Sequence, residues 1–257
     1  MSWLGKLFER EAPVEQRLAE ALVAWNAADY GVALDLWAPL AQAGVARAQS
    51  NMGAAFLEGR GVERDLEKAT AWLRRAAEQG DAGGQRNLAL CYYEGWGVPQ
   101  DQVEAARWYE KAAEQDDPDA QDMLSWMKLV GGGCPQDYVG ARQWAEKAAA
   151  HGRVGAMARL GDIHHNALGV ERDPAMAAQW WGRAARLGQA EAQAMLGAAY
   201  LAGKGVGRDP VEALHWLLRA EAGGAGELVM GFLREAQAHT KPSQRAEAAR
   251  RAAEPLS

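Results

Sequence analysis

Two adjacent histidines and a nearby aspartate are the first candidates for chemistry in this chain of 257 residues. Asp162 and His165 are three residues apart, so a helix would place both side chains on one face. A carboxylate beside an imidazole can form an acid–base pair or supply two metal ligands. A metal site normally needs three or four ligands, so we predict none. We expect His164 to pack in place of an aromatic residue and His165 to lie on the surface or in a groove.

Glycine-rich and cysteine-containing stretches are the next candidates. Gly59-Arg60-Gly61 has the glycine spacing of a phosphate loop, but such a loop follows a strand, whereas a helical pattern precedes this one. The two cysteines, Cys91 and Cys134, suggest neither a disulfide framework nor a zinc motif. The chain lacks Gly-x-Ser-x-Gly, His-Glu-x-x-His and Walker motifs, so we predict no catalytic residue and no cofactor.

These candidates all lie within a sequence repeat. Trp72 and Trp108 are 36 residues apart, and the same interval separates further tryptophans and a series of aspartates. The recurring positions are Trp72, Trp108, Trp144, Trp180 and Trp216; Asp65, Asp101, Asp137, Asp173 and Asp209; and glycine pairs that include Gly59, Gly61, Gly95 and Gly97. A period of 20–50 residues is typical of a solenoid, in which stacked units bury a shared core.

Each repeat predicts a helix, a glycine-containing turn and a second helix. Gly59 and Gly61 end the first helix, because glycine adopts positive φ without a Cβ penalty. Asp65 is placed to cap the second helix, and small residues let the two helices approach closely. We expect Trp72 and its equivalents to fill the space between one helix pair and the next, as part of the core.

Charge and hydropathy exclude several classes of partner. The chain has 34 acidic and 28 basic residues and a pI of about 5.5, which disfavours nucleic-acid binding. No apolar stretch has the length of a signal sequence core or a membrane span. We therefore expect a cytoplasmic protein without membrane association.

The repeat unit resembles a known family. Its pattern is Ala48-Gln49-x-x-Met52-Gly53-x-x-Phe56-x-x-Gly59-x-Gly61-Val62-x-x-Asp65, followed by Ala69-x-x-Trp72, Ala76-Ala77 and Gly80. It resembles the Sel-1-like repeat, a relative of the tetratricopeptide repeat. The resemblance implies an all-α, right-handed superhelical α/α solenoid that acts as a non-catalytic protein- or peptide-binding adaptor in a bacterial cytoplasm. A second implication, β-lactam binding or hydrolysis, belongs to secreted members with a cysteine pair in each repeat, which this chain lacks.

The repeat boundaries divide the chain into four segments. Residues 1–12 form a flexible or docked tail, although Trp3, Leu4, Leu7 and Phe8 also allow a membrane-peripheral regulator anchored by a short amphipathic helix. Residues 13–44 resemble a tetratricopeptide capping pair. Residues 45–224 contain five 36-residue repeats, and 225–257 form capping helices with a polar outer side.

A partner-binding groove is expected where the repeat does not dictate the residue. If the first helices line the concave face, the predicted groove contains Arg86, Leu90, Tyr93, Glu94, Asp122, Trp126, Leu129, Asp162, His165 and Asn166. Aromatic and aliphatic residues with a charged rim are typical of protein interfaces. Trp126 is either an anchor for the partner or a compensation for Ser125, which replaces the helix glycine, and for Lys128. The oligomeric state is left open.

Overall fold

The structure is a computed structural model, and residues 12–256 are described here. The predicted amphipathic segment from Trp3 to Phe8 lies outside the described residues. The described part contains helices and connecting turns but no strand. This confirms the prediction of an all-α repeat fold.

The described residues form two compact units, which divide between Ala120 and Gln121 inside a helix. The first unit contains α1 (Val14–Asn26), α2 (Tyr30–Gln42), α3 (Ala46–Glu58), α4 (Leu66–Glu78), α5 (Ala82–Glu94), α6 (Gln102–Glu114) and the start of α7 (Pro118–Val130). The second contains the rest of α7, then α8 (Tyr138–Ala150), α9 (Val154–Asn166), α10 (Pro174–Arg186), α11 (Ala190–Ala202), α12 (Pro210–Ala220), a π-helical segment Glu221–Ala225, α13 (Gly226–Ala238) and α14 (Pro242–Ala253).

The turn inside each repeat is set by local backbone geometry. Gly59 and Gly61 have φ values of 70° and 72°, in the left-handed region that favours glycine. After the turn, the Asp65 carboxylate accepts a hydrogen bond from the Lys68 amide at 2.9 Å and caps α4. The later repeats place an aspartate in the same way at the start of α6, α8, α10 and α12.

A long side chain just before each capping aspartate closes the turn. Arg64 Nε donates to the Leu57 carbonyl at 3.0 Å, which satisfies one of the carbonyls left without a partner at the end of α3. In the other repeats the equivalent side chain donates to the equivalent backbone carbonyl: Gln100 to Tyr93, Gln136 to Leu129, Arg172 to His165 and Arg208 to Leu201. The turn is therefore held from both ends, by the aspartate and by its neighbour.

The two helices of a repeat pack through a small residue that faces a second-helix side chain. A Cβ built on Gly53 would lie 2.6 Å from Leu73 Cγ, so no larger residue fits there. Ala89, Ser125, Gly161 and Gly197 take the small-residue position in the other repeats, and the buried residues 20 positions later are Tyr109, Ala145, Trp181 and Leu217. The largest partner, Trp181, thus faces a glycine, and the bulkier Ser125 is matched by the small Ala145.

The periodic tryptophans agree only in part with the expected core position. Trp108 and Trp216 are buried, whereas Trp72, Trp144 and Trp180 are only half-buried at the edge of the core. A cation three residues later lies over the ring in four repeats: Arg75 at 4.9 Å, Lys111 at 4.1 Å, Lys147 at 4.1 Å and Arg183 at 4.5 Å from the ring centroid. Such a ring can be partly exposed because the cation covers its face. The most enclosed position is the residue after each tryptophan.

Ala167 tests the backbone requirement of the turn. It has φ of 56° where the first, second, third and fifth repeats have glycine, and a non-glycine residue there costs about 1–2 kcal/mol. We expect Ala167→Gly to stabilise the protein by about 0.5–1 kcal/mol after the entropy of glycine is subtracted. Urea unfolding followed by circular dichroism measures the change. The reciprocal control, Gly203→Ala at φ 67°, should destabilise the protein, and equal stability of both variants would contradict the explanation.

Gly161 tests the close contact between paired helices. An added Cβ would overlap the indole of Trp181, so Gly161→Ala should destabilise the protein by about 1–3 kcal/mol, the usual cost of overpacking. Gly231→Ala is the matched control, because Gly231 also lies inside a helix and nothing lies within 4 Å of its Cβ position. A thermal melt that shows the same midpoint for both variants would rule out the steric explanation.

Candidate functional site

The predicted groove residues of the first unit lie on α5. Arg86, Leu90 and Tyr93 are half-buried and Glu94 is exposed. Arg86 Nη1 donates to the Asp117 carboxylate at 2.9 Å. The guanidinium therefore already pairs within the chain, at the start of the next first helix, and a partner would have to compete for it.

The predicted groove residues of the second unit lie on α7 and α9. Asp122 accepts a hydrogen bond from Arg159 at 2.6 Å, and Trp126 and Leu129 are half-buried. Asn166 is exposed at the end of α9. The predicted charged rim is thus partly occupied by an ion pair between consecutive first helices.

Ser125 bears on the two explanations of Trp126. Ser125 is fully buried, and its hydroxyl donates to the Ala141 carbonyl at 2.8 Å. Ala145 provides the space that Ser125 requires, since the equivalent second-helix residues are much larger. The change at position 125 is accommodated within its own helix pair, so it gives no reason for a tryptophan at position 126.

An apolar pocket of about 280 Å³ lies on the first-helix side of the second unit. Ala198 and Ala202 occupy positions that repeat three fills with Trp126 and Val130. The pocket is lined by His165, Pro174, Trp181, Met195, Ala198, Ala199, Ala202, Lys204 and Phe232. Of the predicted groove residues, only His165 lines this pocket. We call it the α9–α13 pocket.

Trp181 and Asp162 hold one wall of the α9–α13 pocket in place. Trp181 Nε1 donates to the Asp162 carboxylate at 3.1 Å, and the His165 ring lies 5.2 Å from the Trp181 ring, centroid to centroid. Burial raises the pKa of Asp162, although the Trp181 hydrogen bond and the charges of His165 and Arg159 oppose this shift. The carboxylate therefore serves to orient an indole, at an electrostatic cost.

The same geometry limits the chemistry of this region. The Asp162 carboxylate already accepts a hydrogen bond from Trp181. Within residues 12–256, no group of three or more His, Cys, Asp or Glu side chains could hold a metal ion. His164 is half-buried. Burial raises the pKa of Cys91 to about 12, so this cysteine is a neutral thiol rather than a nucleophilic thiolate at pH 7.

Several pocket residues were not among the predicted groove residues. One of them is Trp181, whose side chain is buried although it forms a pocket wall. Phe232 belongs to α13, where the repeat pattern fades, and no periodic signal marks it. The sequence does mark Trp181 as unusual, because no other repeat has a tryptophan at this position. The equivalent residues are Leu73, Tyr109, Ala145 and Leu217.

Stacked helix pairs with glycine turns, aspartate caps and a shared apolar core define an all-α repeat solenoid. The chain belongs to the Sel1 repeat family, whose model matches residues 46–81, 82–117, 118–152, 154–189 and 190–224. Family membership and fold class were thus predicted correctly from the sequence. Solenoids of this family commonly mediate protein interactions.

Two solved structures are similar over most of the chain. A Sel1 repeat protein from Oxalobacter formigenes has 31% identity and a TM-score of 0.80, and the match covers 94% of this chain and 98% of that one. The protective antigen c5321 of uropathogenic Escherichia coli strains, which has an SLR fold, has 30% identity and a TM-score of 0.80. That match covers 94% of this chain but 53% of c5321, so this chain spans about half of its length.

Two further comparisons give negative findings. No curated protein sequence matches this chain. Within residues 12–256, none of the helices combines the length and the apolar character needed to cross a bilayer.

Asp162 provides a test of the pocket electrostatics. Because its pKa in the folded state is raised above 3.8, the folded protein loses stability as the pH rises from 3.8 through the folded-state pKa. Asp162→Asn removes this loss and keeps an oxygen acceptor for Trp181, so the variant should be more stable than wild type at pH 7. The gain should shrink as the pH is lowered toward 3.8.

Urea unfolding at several pH values measures this gain. Asp173→Asn is the matched control, because Asp173 caps α10 and asparagine caps helices equally well. If Asp162→Asn destabilises the protein at pH 7, the carboxylate charge itself supports the fold and this account of Asp162 is wrong.

Proposed function

We propose that this protein is a non-catalytic scaffold that binds a protein or peptide segment through its first-helix side. The α9–α13 pocket is the observation that carries the proposal, because it exposes an apolar surface between the first helices of the second unit. In the proposed complex, an apolar side chain of the partner fills the pocket. Burial of one such side chain contributes about 1.5–3 kcal/mol.

The groups around the pocket suggest how the partner is oriented. Lys204 is exposed at the pocket edge and can pair with an acidic residue next to the apolar anchor. The remaining predicted groove residues would contact the same class of partner, with Trp126 as a further anchor. Bacterial origin is part of the proposal and is supported by the organisms of the two similar structures. A cytoplasmic location remains a prediction from the sequence.

The alternative functions draw less support. The described cysteines are both free, Cys91 is buried, and the disulfide-rich pattern implied for β-lactam-binding members is missing. The membrane-anchored alternative depends on Trp3 to Phe8, which lie outside the described residues. We therefore develop only the scaffold proposal.

Peptide selection tests the pocket directly. A displayed library of random peptides selected on the full-length protein should enrich sequences with a large apolar residue beside an acidic one. Ala198→Trp fills the pocket with the residue that repeat three carries at this position, so the helix is expected to accept it. We expect this variant to lose at least tenfold in affinity for a selected peptide, measured by fluorescence anisotropy.

Ala54→Trp is the matched control, because it makes the same change at the equivalent position of the first repeat. It should bind the selected peptide as wild type does. A peptide whose affinity is equal for wild type and Ala198→Trp would place its binding elsewhere and refute the role of this pocket.

A further inference from the structure

A second cavity of about 370 Å³ lies on the opposite helices of the last two repeats. It is bounded by the outer side of α10, the end of α11 and the start of α12. Its polar and aromatic lining consists of Gln179, Arg186, Tyr200, Glu212 and Trp216, with Gly182 in its wall. None of these residues lines the α9–α13 pocket, so this cavity is a separate feature.

The cavity is associated with a missing side chain at Gly182. The equivalent second-helix residues of the other repeats are Arg74, Glu110, Glu146 and Leu218, all of which are large. In an earlier repeat, Arg74 lies 5.7 Å from the ring centroid of Tyr92, and Tyr200 is the equivalent of Tyr92. Gly182 cannot cover Tyr200 in this way, which leaves room beside that ring.

Arg186 places a positive charge at the cavity wall. Its two terminal nitrogens lie 3.8 Å and 3.9 Å from the position that a Cβ on Gly182 would take. Within residues 12–256 the Arg186 guanidinium has no hydrogen bond and no ion pair. The equivalent residues are Glu78, Glu114 and Ala150, so this cation is specific to the fourth repeat.

The acidic groups nearby already have partners. Glu212 accepts a hydrogen bond from Arg251 at 2.7 Å, and the Asp209 carboxylate accepts the amides of Val211 and Glu212. Burial raises the pKa of Tyr200, with Glu212 and Asp209 adding to the shift, so its hydroxyl keeps its proton and can donate. Arg186 thus supplies a positive charge to a ligand in this cavity, and the Tyr200 hydroxyl can add a hydrogen-bond donor.

We propose that this cavity binds a carboxylate carried on an apolar or aromatic body. The carboxylate pairs with Arg186, whose planar guanidinium can donate two parallel hydrogen bonds to it. The body lies beside Tyr200 and Trp216, in the space that Gly182 leaves. A cavity of about 370 Å³ is within the range of small-molecule sites. The carboxylate belongs either to a small organic acid or to the C-terminal residue of a peptide, which share this chemistry.

Isothermal titration calorimetry on the full-length protein tests the proposal with four probes. They are 4-phenylbutyrate, its neutral amide, and the tripeptide Gly-Gly-Phe with a free or an amidated C-terminus. We expect wild type to bind the acids and not the amides. Tighter binding of phenylbutyrate indicates a small-molecule ligand, and tighter binding of the free tripeptide indicates a peptide C-terminus.

Two variants assign the binding to the cavity. Arg186→Ala removes the charge and introduces alanine, which the third repeat has at the equivalent position, Ala150. We expect this variant to bind the acids about tenfold more weakly, or weaker still. Gly182→Leu fills the cavity with leucine, which the fifth repeat has at the equivalent position, Leu218. This variant should not bind the acids. Arg183→Ala is the matched control, because Arg183 lies over Trp180 on the same helix and should not affect the titration.

Three results would overturn the proposal. The first is that wild type binds neither acid at millimolar concentration. The second is that acids and amides bind equally well. The third is that Arg186→Ala binds as wild type does, which decides the question even if Gly182→Leu fails to fold. Circular dichroism of each variant establishes that it is folded. Failure of the peptide-selection experiment has no bearing on these titrations, because the two cavities share no residue.

Discussion

The structure depends on how closely the two helices of each repeat approach. Because Gly53 has no side chain, the Leu73 side chain of the paired helix packs into the space that a Cβ would occupy. Interiors are packed at crystal-like density, so one added methyl group in such a contact forces the helices apart or the partner off its rotamer. The contact therefore constrains the geometry within a repeat, and every other feature is built on helices that it positions.

A second constraint joins one repeat to the next within each unit. Gln49 is buried, and its amide nitrogen donates to the Ala41 carbonyl at 3.1 Å, near the end of the preceding helix. Gln79 in turn donates to the Gln49 side-chain oxygen at 2.7 Å. A buried side-chain amide without hydrogen-bond partners is costly, so the Gln49 bonds favour the one arrangement of neighbouring repeats that allows them. They also give the Ala41 carbonyl, at the end of its helix, a hydrogen-bond donor. In the same way, the side-chain amides of Gln85 and Gln193 donate to the backbone carbonyls of Ala77 and Ala185, respectively.

The fold could be predicted from the sequence because its determinants are local. Gly59, Gly61 and Asp65 act on the backbone within a few residues of themselves, and their recurrence every 36 residues reveals the repeat. The pairing of Asp122 with Arg159 could not be predicted, since it depends on the direction of two long side chains 37 residues apart. Phe232 was missed for a related reason: it reaches its pocket from a helix outside the regular repeats.

The fourth repeat contributes to both candidate sites, and the reason lies in the packing of its helices. Trp181 fits between the helices only because position 161 is glycine, and the polar edge of its indole then needs an acceptor, which Asp162 supplies. One residue further along α10, Gly182 leaves the opposite side open beside Arg186. A large residue and a small one in succession thus create a pocket wall on one side of the helix pair and a cavity on the other. The helix contacts accommodate Trp181 because Gly161 and Asp162 face it, whereas the space that Gly182 leaves is not filled and forms the cavity.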